Sequence, residues 1–162
     1  MEEEVDITKL DRELFDKIHF AERFAEISRR YPVEPKDDLL TILDFDLTKE
    51  ILESFGYKVR YFKSEDFFRI SEKREGYDFF FHISFNNGHT ELIWAVFQNK
   101  QLVRNITGMG IWPGIYMTLT GCKWEDTLRY PCFHDYDEME EMLKECFELW
   151  EDFKREFLAK HK

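Results

Sequence analysis

The chain has 162 residues, 34 of them acidic and 23 basic, which gives a formal net charge of −11. That length suits a single domain, residues 1–162, and an aromatic content of 17% supplies ample apolar surface for its core. The acidic balance argues against nucleic acid or an anionic membrane as a direct ligand, because phosphate binding needs clustered Lys and Arg. A basic protein partner suits it better.

The opening Met-Glu-Glu-Glu-Val-Asp lacks the basic flank and apolar run of a signal peptide, and no stretch reaches the ~18 apolar residues of a membrane span. Cys122, Cys132 and Cys146 cannot all pair and show no CxxC spacing, so free thiols in a reducing cytoplasm are expected.

Residues 8–30 read as one long amphipathic helix, with Ile7, Leu10, Leu14, Ile18, Ala21 and Ala25 repeating at three and four. Thr8 is its expected N-cap, and Pro32 follows its end. Residues 37–45 read either as a short helix or as a buried strand. Residues 48–55 predict a helix with Ile51, Leu52 and Phe55 inward, stopped by Gly56, and Asp46 is the expected cap. Residues 57–62 alternate as a strand, and residues 67–70 predict another.

Residues 77–97 organise the rest. Two β-rich runs flank Asn87-Gly88, the pair that best tolerates the two positive φ angles of a type I′ turn. With that turn, Ile83 faces Leu92, Phe81 faces Trp94 and Phe79 faces Val96. Side chains alternate along a strand, so these residues share a core face, while Phe80, His82, Ser84, Ile93, Ala95 and Phe97 occupy a second face expected to be covered as well. Asn99-Lys100 marks a further turn into a strand over 102–107. Three glycines and Pro113 break the pattern over 108–114, and residues 115–120 read as a strand, with a short strand possible near 127–130. Residues 135–159 predict a second long helix whose inner stripe is Met139, Met142, Leu143, Cys146, Trp150, Phe153 and Phe157. Short connections favour an antiparallel meander, so the expected fold is α+β: a sheet of about five or six strands packed by long N- and C-terminal helices.

Four groups of residues carry candidate chemistry. Asp44-Phe-Asp46-Leu-Thr48 follows an apolar run and resembles the first motif of haloacid-dehalogenase-like phosphotransferases, DxDx[TV] at the end of a strand. The resemblance implies Asp44 as nucleophile, Asp46 as general acid, Mg²⁺ as cofactor and a parallel doubly wound sheet, whereas the residues themselves predict a helix cap and hairpins. Cys132, His134 and Asp135 lie close together but lack the paired short spacings of a zinc site, so no metal or other cofactor is expected. His82 is expected to be a hydrogen-bonded structural histidine. Trp112 among glycines is either an exposed binding anchor or a core residue at a strand crossover; tryptophan's usual burial favours the core.

The C-terminal helix adds an acidic stripe, Glu138, Glu141, Glu145, Glu148 and Asp152, at spacings of three and four. Like charges so placed each oppose the isolated helix by ~0.2–0.5 kcal/mol. The stripe is either a solvated face or, with Tyr136 at its rim, a docking surface for a basic partner. Small size, strong acidity and a helix-flanked sheet together resemble the bacterial toxin-neutralising immunity proteins. That resemblance implies a cytoplasmic, non-enzymatic protein that blocks a basic toxin such as a nuclease; the phosphotransferase and a structural or regulatory domain are the alternatives.

Overall fold

A computed structural model describes residues 9–162, so the expected cap Thr8 lies outside the described residues. The architecture is α+β. Helices α1 (Arg12–Lys17), α2 (Phe20–Arg30) and α3 (Phe45–Glu53) precede the strands β1 (Lys58–Phe62), β2 (Phe67–Arg74), β3 (Tyr77–Asn86), β4 (His89–Gln98) and β5 (Gln101–Leu102). Helices α4 (Trp112–Thr120) and α5 (Tyr136–Lys160) follow. The five strands lie in sequence order, each antiparallel to its neighbour.

The central hairpin has the register that its turn dictates: Asn86 faces His89, Ile83 faces Leu92, and Phe81 faces Trp94. Asn87 and Gly88 both adopt positive φ, 52° and 83°. Phe79, Phe81, Ile83, Leu92, Trp94 and Val96 are buried on one face. Against them α5 lays its expected stripe, with the Phe153 ring stacked on Trp94 at 4.7 Å and Trp150 5.6 Å from Phe81.

The N-terminal helix is not continuous. His19 takes a left-handed conformation, φ 56°, and separates α1 from α2, with Asp11 capping α1 through its carboxylate on the Leu14 amide. In one unbroken helix Phe15 and Phe20 would point about 140° apart. The break turns both into the core, where their rings meet edge to face at 5.4 Å.

Two further expectations change. Residues 115–120 belong to a helix, α4, with Pro113 in its first turn and Gly121 just past its end; this proline-then-glycine frame outweighs the β-branched residues inside it. Thr118 and Thr120 turn their hydroxyls onto the carbonyls of Gly114 and Tyr116, so they fit the helix without an outside partner. The strand over 102–107 shrinks to the two residues of β5, and residues 127–130 form no strand. The second sheet face is also less protected than expected: Phe80, His82, Ser84, Ile93, Ala95 and Phe97 all stay part-exposed. Among the described residues no helix is long and apolar enough to cross a membrane.

Candidate partner-binding surface

The acidic stripe of α5 faces the protein's own basic helix. Arg23 of α2 reaches Asp152 at 2.6 Å, Arg30 of α2 pairs with Glu145, and Lys17 of α1 pairs with Glu156 at 2.9 Å. Burial raises the cost of the Asp152 charge, but Arg23 and Arg155 more than offset it and hold the carboxyl below its ordinary range. These cations explain why Glu145 and Asp152 sit too far along the helix for its dipole to favour them. Glu138 is engaged as well, accepting from His134 Nδ1 at 2.8 Å. Only Glu141 and Glu148 of the stripe are exposed. The stripe therefore does not stand open as a unit, and two of its five acids, Glu145 and Asp152, fasten α2 to α5.

Trp112 is fully buried, in ring contact with Trp94 at 4.9 Å and stacked on Phe81 at 5.6 Å. Its side chain is a core element and offers nothing to a partner.

A different surface gathers what a binding site needs. Five large hydrophobic residues are exposed among those described, and three of them, Ile42, Phe45 and Leu47, fall within six positions. Ile42 is 86% exposed and Phe45 43%. Around them residues 36–53 carry Asp37, Asp38, Asp44, Asp46, Glu50 and Glu53 against only Lys36 and Lys49. None of these six acids has an ion-pair partner among the described residues. Phe45 rests on Tyr61 at 4.8 Å and Phe68 at 5.7 Å. Beside it opens a cleft of about 290 Å³, lined by Thr41, Leu43, Tyr61, Phe85 and Asn87 among others. Tyr61 hydrogen-bonds Asp66 at its margin, which raises the phenol above its ordinary range.

The loop that presents Ile42 is pinned from below. Leu40 donates its amide to the Phe133 carbonyl at 3.1 Å, and the Phe133 amide donates to Gly88 O at 3.1 Å. A Cβ on Gly88 would stand 2.9 Å from Leu39 Cβ, so the hairpin tip needs glycine for this approach as well as for its φ. His134 bridges Glu138 and the Pro35 carbonyl, the latter at 3.2 Å, and the Glu138 carboxylate raises the imidazole pKa. The Asp44 amide donates to the Tyr136 hydroxyl at 2.8 Å. Tyr136 thus works as a brace between α5 and α3, and it brings exposed Asp137, Glu140 and Glu141 to the same end of the molecule.

Asp44, not Asp46, caps α3, accepting from the Leu47 amide at 3.1 Å. Residues 39–43 form no strand, and the sheet is antiparallel throughout, so the strand-end setting that the phosphotransferase motif requires is not built around these aspartates. Cys132 is buried and its thiol is pushed up to about 11, mainly by desolvation. His82 accepts from Arg69 Nε at 3.0 Å, and burial together with that guanidinium lowers its pKa to about 4. Among the described residues no three His, Cys, Asp or Glu side chains converge as a metal site would need.

The exposure of Ile42, Phe45 and Leu47 is not legible in the sequence, where residues 37–45 read either as a short helix or as a buried strand and the apolar run does not show whether anything covers it. The signal available was charge: the inward stripe of α3 is Thr48, Ile51 and Leu52, and Leu47, although only about 40° from Ile51 on a helical wheel, stands among unpaired acids. The chain matches no protein-family model, no curated protein and no solved structure.

Proposed function

We propose that this chain is an acidic, non-enzymatic binding protein that captures and blocks a basic protein partner, in the manner of a bacterial immunity protein acting on its toxin. The observation that carries the reading is the clustering of Ile42, Phe45 and Leu47 within a rim of unpaired carboxylates. An apolar centre desolvated on binding, with charged residues around it, is the usual anatomy of a protein interface. The acidic rim would steer a basic surface into place and speed its approach. The bracing of the loop by Phe133, His134 and Tyr136 supports the same reading, since a surface held in one shape loses less entropy on binding.

The test begins by co-expressing the chain with the products of the genes that neighbour its own, and any basic protein that it captures is then titrated in vitro. Ile42→Ser with Phe45→Ser should weaken binding about thirtyfold or more, the scale of a lost hot spot. Asp46→Lys with Glu50→Lys should slow association and flatten its salt dependence. Unchanged affinity in both double variants would remove this surface from the interface.

A further inference from the structure

Arg60 and Arg69 share the outer face of the sheet, in adjacent strands at paired positions. Their guanidinium carbons stand 4.8 and 4.6 Å from the centre of the Phe62 ring, and Arg69 lies 4.7 Å from the centre of Phe80 as well. In a chain of 34 acids, neither has a carboxylate partner among the described residues, whereas Arg23, Arg30 and Arg74 all do. Arg69 gives its Nε–H to His82, leaving its terminal N–H groups without an acceptor among the described residues. Burial and the neighbouring Arg60 charge both lower its pKa, so Arg69 is a partly desolvated cation beside a second, exposed one. A dianion would relieve both cations at once, and the planar fork of arginine suits phosphate oxygens.

Next to Arg69 opens a cleft of about 430 Å³, within the range of small-molecule sites. Its lining includes Phe80, Ile93, Phe97, Asp78 and Lys100. The two exposed large hydrophobics outside the α3 surface, Leu102 and Met109, both line it too. The cleft thus combines apolar and aromatic walls for a flat ring, an acceptor in Asp78 for hydroxyl or amino hydrogens, and Arg69 on its wall with Arg60 just outside the lining at the paired position of the next strand.

We propose that this cleft binds a nucleoside monophosphate, with the phosphate on Arg69 and Arg60 and the base against Phe97, Ile93 and Met109. The small ligand is favoured over a nucleic acid strand because the net charge of −11 repels a long polyanion, while two local cations are enough for one phosphate. The site is separate from the α3 surface and stands or falls independently of it.

The experiment is calorimetric titration at low salt with AMP, adenosine, inorganic phosphate and a single-stranded oligonucleotide. AMP should bind saturably, with adenosine and phosphate each about tenfold weaker or more, since each supplies half of the contact. Arg69→Ala should lower AMP affinity about tenfold and leave adenosine unchanged. Arg60→Ala, at an exposed position that the fold does not need, should also weaken AMP and keeps the test decisive if the first variant misfolds. Absence of AMP saturation at millimolar concentration would overturn the proposal. So would adenosine binding as tightly as AMP, AMP affinity unchanged in Arg60→Ala, or an oligonucleotide that binds where AMP does not.

Discussion

Lys154 is fully buried, and its ammonium reaches Glu151 at 2.5 Å and Glu72 at 3.0 Å while lying 3.6 Å from the centre of a Trp150 ring. The two carboxylates are a quarter to a third exposed and are also held by Arg74, at 2.6 Å from Glu72 and 3.2 Å from Glu151. Tyr57 donates to Glu151 as well, at 2.5 Å. The network is therefore asymmetric towards mutation. Glu72→Gln with Glu151→Gln leaves a buried cation without a counter-charge, which should cost about 3–5 kcal/mol. Lys154→Met keeps the buried stem and leaves two carboxylates that still have Arg74 and water, so the cost should stay within about 1 kcal/mol. Urea denaturation followed by tryptophan fluorescence measures both. A Lys154→Met variant as unstable as the double Gln variant would refute the reasoning, because it would mean that the cation, rather than its neutralisation, is what the fold requires.

Gly110 holds φ at 79°, and a Cβ there would meet the Trp94 carbonyl oxygen at 2.2 Å, beside the hydrogen bond from Trp94 N to Gly110 O. Gly110→Ala should destabilise by more than about 2 kcal/mol in the same assay; a loss within experimental error would mean that this segment does not run against β4 as described. Two histidines tilt stability with pH in opposite directions. His82, with its pKa lowered to about 4 by burial and Arg69, binds its proton more readily unfolded, so it makes stability rise from pH 4 to about 6.5. His134, raised by Glu138, contributes stability that is fully present below about pH 6.5 and is lost as pH rises through its folded value. His82→Gln should flatten the acid limb of the stability–pH curve and His134→Gln the neutral one; either limb surviving its own variant would count against the assigned contacts.

What the sequence made legible was whatever one local signal decided. Asn87-Gly88 with alternating flanks specified a register, because a one-residue slip would have moved Phe79, Phe81 and Ile83 out of the core. The α5 stripe was equally plain, since seven apolar residues recur on one face of a 25-residue helix. Features that depend on distant partners were not legible. The helix break at His19 follows from the need to bury Phe15 and Phe20 together, and the strip from Glu145 to Asp152 found its cations on a helix more than a hundred residues earlier. The α4 helix could have been read from Pro113 and Gly121, had these been weighed above the β-branched residues between them. The α3 surface was missed because an apolar run shows hydrophobicity and not whether anything covers it.

The most direct test of the account is a competition between two faces of the same protein. A basic protein that the chain captures from among the products of its neighbouring genes is titrated against Ile42→Ser with Phe45→Ser and, separately, against Glu148→Lys, the exposed stripe residue on α5 that lies away from the Tyr136 end. The account predicts about a thirtyfold loss or more from the α3 pair and at most a change in association rate from the α5 variant. Full affinity in the α3 variant together with lost binding in the α5 variant would contradict it and move the interface to the C-terminal helix.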